Sequence, residues 1–384
     1  MSFVPSPILQ FGTSRFLQAH VDLFVSEALA GSQGESGASD PLGGITVVQT
    51  TASADSAVRI AALAGGDGYP VRIRGLAGGL RVDRTLRCTA VRGALQAAAQ
   101  WPQLRKTVIE DVQVIVSNTA DRGYQLDPAD GPVLLQPGRP APASFPAKLL
   151  VLLLGRWQQR PAAPLTLLPC ELIERNGEVL RDAVCGLARQ WGLVPAFVDW
   201  LRGHCVWANS LVDRIVSEAL LPVGAVAEPY ALWAIERQPG LVLPCRHPAI
   251  VLTDDLAQHE RLKLFLLNAG HTYLAERWQQ LGRPADETVR EAMADTQQRA
   301  ELEALWAEEI LPVFAALGQR DAAETYLAGL RERLENPFLN HRIADIAQNH
   351  AQKKQRRLGP IVALAEARGL ALPQTRLRAA LVAV

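Results

Sequence analysis

The chain changes character part-way along, and that change constrains its fold more than any other feature of the sequence. Up to about residue 245, short apolar segments that suit buried strands alternate with amphipathic segments of helical period. Beyond residue 254, almost every segment has the helical period. Alternating strands and helices are typical of a sheet with helices on both faces. We therefore predict an α/β fold, with a Rossmann-like doubly wound sheet domain (residues 1–245) followed by an all-helical C-terminal domain (residues 246–384).

The overall composition is that of an ordinary folded protein. Its 384 residues are too many for one simple core, which favours two domains. The 39 basic and 39 acidic residues cancel, so no global field favours nucleic acid or an acidic membrane surface. The N-terminus lacks a signal-peptide pattern, and the longest aliphatic run, residues 149–154, is too short to span a bilayer. We expect a soluble cytoplasmic protein with neither nucleic-acid nor membrane partners.

The cysteines indicate neither a disulfide framework nor a cysteine zinc site. They are odd in number, scattered, and nowhere arranged as Cys-x-x-Cys. They are Cys88, Cys170, Cys185, Cys205 and Cys245.

The N-terminal segment is typical of the opening of a dinucleotide-binding unit. Residues 7–11 predict a strand, and a glycine turn then leads into a helix that we expect to continue to Leu29. A helix N-terminus offers free N–H groups and a positive dipole end to a pyrophosphate. The glycine fingerprint is incomplete, because Ser14 and Leu17 occupy its second and third glycine positions. The predicted cofactor-binding residues of this turn are Gly12, Thr13, Ser14, Arg15 and Phe16.

Two further strand ends supply cofactor candidates. The second strand ends in Gln49-Thr50-Thr51, where an acidic ribose-binding residue would normally stand, so the choice between NAD and NADP stays open. Residues 111–118 predict a buried strand with a polar end. Ligands of doubly wound sheets lie at the carboxyl ends of strands, which makes Asn118 and Thr119 candidates. A turn-forming role explains Asn118 equally well.

Lys263, Asn268 and His271 fall within one predicted helix. At about 100° per residue they lie within an arc of roughly 140°, while Phe265 and Leu266 anchor the other side. An amine, a carboxamide and an imidazole around one point suit proton transfer to and from an alcohol oxygen. An amphipathic helix with a solvated lysine and a hydrogen-bonded histidine would explain the same residues.

The remaining pattern predicts the other elements. Residues 69–74 and 80–92 alternate apolar and polar side chains around a glycine-rich turn, which predicts a hairpin solvated on one face. Residues 205–209 predict the last strand. Predicted C-terminal helices cover residues 256–277, 286–317, 322–334, 340–351 and 361–368.

Blocks along nearly the whole chain match one enzyme family. The most specific combination is Val212-Asp-Arg-Ile215 with the Lys-x4-Asn-x2-His pattern at residues 263–271. On these residues the chain resembles the long-chain mannitol dehydrogenase family, and within it the tagaturonate reductases (altronate oxidoreductases). The matching blocks are residues 8–19, 47–49, 71–76, 115–119, 145–148, 168–177, 209–215, 228–233, 253–255, 263–271 and 336–341.

The resemblance implies a metal-independent oxidoreductase that uses NAD, with NADP left open, on a secondary alcohol of a polyol or aldonate. The resemblance implies that Lys263 is the general acid/base and that Asn268 and His271 bind the reacting oxygen of the substrate. An amine can accept the hydroxyl proton only if burial or a nearby cation lowers its pKa from about 10.4 towards roughly 7 to 8.

One departure bears on the substrate. Mannitol 2-dehydrogenases of the family carry a second oxyanion-binding Asn where this chain has Leu172, which favours sugar acids over polyols. A sugar acid requires a cation for its carboxylate. A solvated helix end explains the basic residues 353–357 equally well. The predicted substrate-binding residues are Arg175, Asn209 and Lys353, with Lys354 and Arg356 as further candidate cations.

The sequence thus predicts a sugar-acid oxidoreductase of the tagaturonate/altronate or fructuronate/mannonate type, with a small-molecule substrate. The alternatives are a mannitol- or arabinitol-type polyol 2-dehydrogenase and a catalytically silent binding protein that keeps the fold. The joint presence of Lys263, Asn268 and His271 argues against the silent protein.

Overall fold

A computed structural model describes residues 6–31, 41–50, 54–119 and 123–382, without the side chains of residues 54–56. Thr51 and the N-terminal residues used to judge a signal peptide lie outside this part of the chain. The chain forms two compact units. Unit 1 comprises residues 1–72, 85–227 and 231–256, and unit 2 comprises residues 73–84, 228–230 and 257–384.

The strands are short and most lie in the first two thirds of the chain. In chain order they are β1 Ile8–Phe11, β2 Ile45–Gln49, β3 Tyr69–Ala77, β4 Leu80–Cys88, β5 Val91–Gln96, β6 Val114–Ser117, β7 Leu165–Pro169, β8 Cys205–Trp207, β9 Ser210–Asp213, β10 Val216–Ala219, β11 Ala225–Ala227, β12 Leu232–Glu236 and β13 Ile250–Thr253.

The helices alternate with strands in the N-terminal part and dominate the C-terminal part. They are α1 Arg15–Gln18, α2 Val21–Gly31, α3 Ala54–Ala64, α4 Trp101–Glu110, α5 Phe145–Gln159, α6 Asn176–Gln190, α7 Pro195–Gly203, α8 Leu256–Leu262, α9 Ala269–Gln280, α10 Val289–Ala294, α11 Thr296–Ala304, α12 Leu311–Ala316, α13 Arg320–Leu334, α14 Ile343–Ile346, α15 His350–Arg357, α16 Gly359–Ala367 and α17 Thr375–Val382. A 3₁₀ turn covers Pro132–Leu135, and π-helical turns cover Lys263–Asn268 and Leu305–Ile310.

The central sheet of unit 1 is parallel, with strand order β5-β2-β1-β6-β7-β8. This is the strand order of a doubly wound dinucleotide-binding sheet. From β1 the chain proceeds to one edge of the sheet through β2 and β5, and from β6 it proceeds to the other edge. Every residue of β1, β2, β6 and β7 is buried, as expected when helices cover both faces. The structure therefore confirms the predicted fold class.

Two smaller sheets contradict the prediction that residues 205–209 form the last strand. Strands β9, β12 and β13 form one sheet, and β10, β11, β3 and β4 form the other. Strands β9 to β13 have three to five residues each. Strands β1, β6 and β8 are equally short and were predicted, so length alone does not explain the omission. The small sheets are held by pairings between separate segments, such as β9 with β12, and the periodicity of one segment does not show such pairings.

The hairpin of β3 and β4 turns at Gly78 and Gly79, whose φ angles of 59° and 77° suit glycine. Their backbone N–H groups donate to the Glu332 carboxylate at 3.1 and 2.7 Å. Asn336 donates to the Arg74 carbonyl oxygen at 3.2 Å. These contacts explain why residues 73–84 belong with the C-terminal helices in unit 2. The sequence division at residue 245 stays a prediction.

A buried ion pair attaches residues 228–230 to the helices of unit 2. The Arg333 guanidinium donates to both carboxylate oxygens of Glu228, at 3.0 and 2.9 Å, and stacks over the Tyr230 ring at 4.2 Å. Both charged side chains are buried. Such a bidentate pair is strongly directional, so it fixes this short segment in place.

Three predicted helices are interrupted. The helix expected over residues 286–317 begins at Val289 and breaks at Asp295, whose extended backbone (ψ 115°) separates α10 from α11. The helix expected to run from the glycine turn to Leu29 ends at Gln18, and α2 begins at Val21, with the His20 ring stacked on Phe16 at 4.8 Å. Residues 340–351 were expected to be helical, but Asn349 has a left-handed backbone (φ 55°) between α14 and α15. A left-handed residue cannot continue a right-handed helix. Within the described residues, no helix is both long and apolar enough to cross a membrane.

Asp22 is a buried carboxyl group in unit 1, and its ionisation makes the stability of the fold depend on pH. It accepts a hydrogen bond from the Tyr69 hydroxyl at 2.6 Å, and both side chains are buried. Burial raises the pKa of Asp22 to about 7, although the Tyr69 hydrogen bond acts in the opposite direction. The folded protein therefore keeps this proton up to about pH 7, whereas the unfolded chain loses it near pH 3.8.

We expect Asp22 to lower the free energy of unfolding by about 2 to 3 kcal/mol between pH 5 and pH 8, and Asp22→Asn to lack this loss. The unfolded state binds fewer protons in this window, so stability falls as pH rises. Urea unfolding at both pH values measures the difference. Asp67→Asn, at an exposed aspartate, is the matched control. Equal pH dependence in wild type and Asp22→Asn would contradict the interpretation.

Candidate active site

The turn after β1 packs closely on the end of β6, at the switch point of the sheet. Gly12 has a φ of 118°, and a Cβ atom there would lie 2.7 Å from the Asn118 carbonyl oxygen. The Asn118 backbone N–H donates to the Phe11 carbonyl at 3.0 Å, which holds the ends of β1 and β6 together. Only glycine fits this position without moving Asn118. Gly12 and Asn118 therefore lie together at the carboxyl ends of β1 and β6, the place where doubly wound sheets bind a dinucleotide.

The neighbouring turn residues hold the start of α1. The Ser14 hydroxyl accepts from the Leu17 N–H at 3.3 Å and caps the helix. The Thr13 hydroxyl accepts from Arg59 at 3.2 Å. Arg15 is exposed, and Phe16 stacks on His20. Ser14 therefore serves as a helix cap where the glycine fingerprint would have a second glycine.

The predicted cofactor residues beyond β6 are held by Glu171, which sequence reasoning missed. The Glu171 carboxylate accepts hydrogen bonds from the Thr119 N–H and hydroxyl (3.0 and 2.9 Å) and from the Ser117 and Tyr124 hydroxyls (both 3.0 Å). Asn118 donates to the Cys170 carbonyl at 2.8 Å. Buried and partly buried hydrogen bonds thus fix the ends of β6 and β7 in place. The only sequence signal was the position of Glu171 two residues after a strand end.

Gln49 is the last residue of β2 and is buried. It stands where an acidic ribose-binding residue would normally stand, as the sequence indicated. A buried neutral amide supplies no charge to repel a 2′-phosphate, so the structure leaves the choice of NAD or NADP as open as the sequence did.

Lys263 and Asn268 lie at the two ends of a π-helical turn. This differs from the predicted α-helix, in which residues five apart point about 140° away from each other. In a π-helix the backbone hydrogen bonds join residues five apart, so such residues share one face. The turn therefore brings the amine and the carboxamide closer to alignment than the sequence predicted. Asn268 and Lys263 are both half-buried.

Trp306 supports this turn from the second π-helical segment. Its indole N–H donates to the Leu266 carbonyl at 3.2 Å in the buried interior. A Cβ atom on Gly270 would lie 3.1 Å from the Trp306 ring, so the indole packs directly on α9. Pro312 follows this second segment and cannot donate a backbone hydrogen bond to the preceding turn, which favours its irregular geometry.

His271 is a buried, neutral imidazole. It is only 8% exposed, and its Nε2 atom has no hydrogen-bond partner among the described residues. Burial lowers the pKa of His271 well below 6.5, and nearby His341, Arg333 and Arg357 lower that pKa further. The His341 ring stands edge-on to it at 5.0 Å. A neutral ring with an unsatisfied nitrogen can bind an uncharged hydroxyl or carbonyl oxygen.

The predicted substrate-binding residues have other partners. The Arg175 guanidinium pairs with the Glu178 carboxylate in unit 1. Asn209 is fully buried, accepts from the Glu178 N–H at 3.1 Å and donates to Glu236 at 2.7 Å. In unit 2, Lys353 donates to the Ile346 carbonyl at 2.7 Å. Their substrate-binding roles stay predictions.

Sequence reasoning missed His341, Arg333 and Arg357, all of which affect His271. His341 stands in a block already used for the resemblance, and Arg357 closes the basic run of α15, so both had a weak signal. Among the described residues, no cluster of His, Cys, Asp or Glu could hold a metal ion. A surface groove of about 520 Å³ beside α4 and α5 contains none of the predicted site residues.

Comparison with known families agrees with this geometry. Residues 6–241 match the Mannitol dehydrogenase Rossmann domain, and residues 255–383 match the Mannitol dehydrogenase C-terminal domain. The chain belongs to the mannitol dehydrogenase family. This confirms the predicted resemblance and the predicted class, an oxidoreductase acting on the CH–OH group of a sugar acid or polyol.

Relatives within the mannitol dehydrogenase family span most of the chain. An altronate oxidoreductase from Halalkalibacterium halodurans is 32% identical, covering 94% of this chain and 70% of the relative. The Bacillus subtilis altronate oxidoreductase is 30% identical, covering 95% and 76%. Both relatives are named for the oxidation and reduction of a sugar acid, altronate.

Two solved structures share the fold. A D-sorbitol dehydrogenase in substrate-free form has a TM-score of 0.78 at 19% identity, covering 99% of this chain and 80% of that one. The Pseudomonas fluorescens mannitol 2-dehydrogenase, in a ternary complex with NAD and D-mannitol, has a TM-score of 0.72 at 18% identity, covering 98% and 78%. At these identities the likeness establishes the fold alone.

Trp306→Phe is expected to lower the free energy of unfolding by about 1 to 3 kcal/mol, because it removes the buried hydrogen bond from the indole to the Leu266 carbonyl, which then keeps only its backbone donor, the Ala269 N–H. Turnover should fall too, since the turn that carries Lys263 loses support. Urea unfolding and kcat measure the two effects. Trp278→Phe removes an exposed indole hydrogen bond, to Pro284, and is the control. Equal losses in both variants would count against a special role for Trp306.

Proposed function

We propose that this protein is an NAD-dependent oxidoreductase that interconverts a secondary alcohol and a ketone on a sugar acid, of the tagaturonate/altronate or fructuronate/mannonate type. The observation that carries the proposal is the buried neutral His271, whose free Nε2 lies among cationic side chains. The imidazole suits the reacting oxygen, and the surrounding positive charge suits an acidic substrate. Relatives named altronate oxidoreductase, 30 to 32% identical, support the same substrate class.

The side chains of one helix divide the proton chemistry between them. During oxidation, the Lys263 amine takes the proton of the substrate hydroxyl; during reduction, the Lys263 ammonium returns it to the developing alkoxide. The Asn268 carboxamide makes no side-chain hydrogen bond with other described residues, which leaves its N–H donors for that oxygen. His271, held neutral, donates or accepts at the same oxygen without adding charge.

The cofactor assignment rests on unit 1. The chemistry that NAD supplies when bound is hydride transfer. Gly12 and Asn118 would lie at its pyrophosphate region, because they stand at the paired carboxyl ends of β1 and β6, where the strand order of the sheet reverses. Gln49 would lie at the ribose, where its neutral amide does not dictate a choice between NAD and NADP.

The function is tested with a panel of tagaturonate, fructuronate, fructose and xylulose, each with NADH and with NADPH. We expect oxidation of NADH, followed by its absorbance, with at least one of the two ketouronates. Activity with fructose or xylulose alone would favour the polyol 2-dehydrogenase instead. Absence of turnover with every pair would favour the silent binding protein.

Lys263→Ala is expected to lower kcat by about 10³-fold or more while NADH still binds, because general acid/base catalysis of this kind contributes about 10²- to 10⁴-fold. Steady-state rates and an NADH fluorescence titration give the two readouts. Lys106→Ala, at an exposed lysine of α4, serves as the matched control. A Lys263→Ala variant with near wild-type kcat would exclude the acid/base role.

A further inference from the structure

A sugar-acid substrate brings a carboxylate as well as a carbonyl, and the following inference rests on the proposed function. Burying a carboxylate without a cation is strongly unfavourable, and a bidentate guanidinium is its best protein partner. Unit 2 holds several basic side chains near His271. Their partners decide which of them is available.

Two of the buried cations are already neutralised. The Lys354 ammonium lies 3.0 Å from the Glu276 carboxylate, and both are buried. The same carboxylate oxygen also contacts His350 at 2.9 Å. The Nε and Nη2 atoms of Arg333 donate to the two carboxylate oxygens of Glu228. A further carboxylate would have to displace an internal one at either site.

The other sequence candidates are poorly suited. Arg356 is exposed on α15. Arg175 is half-exposed and pairs with Glu178. Lys353 is partly buried, and its ammonium donates one hydrogen bond to the Ile346 carbonyl. None of them combines partial burial with a guanidinium that has no carboxylate partner among the described residues.

Arg357 does combine them. It is partly buried at the end of α15, a helix that packs against α9 and against the π-helical turn. One Nη1 donor bonds the Thr272 hydroxyl at 3.2 Å, next to His271 in the chain. Among the described residues, no carboxylate pairs with Arg357. A guanidinium has five N–H donors, so most of them remain for a ligand.

The electrostatic surroundings agree with this geometry. Burial lowers the pKa of Arg357, and neighbouring Arg356 lowers that pKa further. Arg357 in turn helps to lower the pKa of Lys353 and of His271. Lys353 and Arg357 are four residues apart on one helix, so they share a face. Within the described part of the chain, Lys353 and Arg357 bond a carbonyl and a hydroxyl but no carboxylate, and an anionic ligand would supply the counter-ion.

We propose that Arg357 binds the carboxylate of the sugar-acid substrate, with Lys353 beside it, and thereby sets the preference for a ketouronate over the matching neutral ketose. The Thr272 hydroxyl orients the guanidinium. Arg357 is thus a specificity residue, and the proton chemistry stays with Lys263, Asn268 and His271.

The test compares fructuronate with fructose, which differ only in a carboxylate in place of a hydroxymethyl group; tagaturonate and tagatose form the equivalent pair. Arg357→Ala should lower kcat/KM for the ketouronate by about 10- to 100-fold, the value of a charged hydrogen-bonded contact. For the neutral ketose, kcat/KM should change by less than about threefold. Arg357→Lys should recover part of the loss, because it keeps the charge without the planar fork.

Arg368→Ala, at an exposed arginine after α16, is the control and should change neither value. An equal loss on both substrates in Arg357→Ala, or no loss on either, would overturn the proposal. So would a selective loss in Arg356→Ala instead. If the alanine variant does not fold, Arg357→Gln keeps a donor for Thr272 and carries the same comparison.

Binding separates this proposal from the proposed function. Calorimetric titration of fructuronate and tagaturonate into the NADH-bound protein is done for wild type and Arg357→Ala. Binding that is lost in the variant, without turnover in wild type, would reject the oxidoreductase and retain the carboxylate subsite. Turnover or binding that is unaffected by the variant would reject the subsite and leave the oxidoreductase in place.

Discussion

The hydrogen bond from the Trp306 indole to the Leu266 carbonyl lies inside the turn on which the candidate chemistry depends. That turn is π-helical, and its wider spacing brings Lys263 and Asn268 towards one face. An irregular turn is less stable than the α-helix around it, so it persists only where the surroundings hold it. The indole, packed on Gly270, provides that support. The alignment of amine and carboxamide is therefore a property of the helical core.

Charge is arranged in unit 2 so that most of it is cancelled internally. Glu228 neutralises Arg333, and Glu276 neutralises Lys354. Among the described residues, Lys353 and Arg357 on α15 have no carboxylate partner, and Arg357 contributes positive charge near His271, which burial keeps neutral. In the proposed reaction these two features have different roles. The neutral imidazole would hydrogen-bond the oxygen of an alcohol or ketone, and the positive charge would favour an acidic substrate.

In unit 1, hydrogen bonds and close packing hold the carboxyl ends of β1, β6 and β7 rigidly. Glu171 accepts one hydrogen bond from the last residue of β6 and three from the segment after it, and Gly12 approaches the Asn118 carbonyl closely. Rigid positioning of this kind suits a site that must orient a cofactor, because misplacement of a reacting atom by even about 1 Å lowers rates greatly. The departure at Ser14 is compatible with it, since Ser14 caps the helix there.

The sequence by itself determined the parallel sheet, the helical C-terminal part, and the presence of Lys263, Asn268 and His271 on one helical segment. These follow from local period and spacing, which a single chain displays. The short strands β9 to β13, the π-helical turn, and the partners of Lys354 and Arg333 were decided only by the tertiary structure. Each of them depends on residues far apart in the chain, such as Trp306 with Leu266 or Glu228 with Arg333, and no local pattern specifies which distant groups will meet.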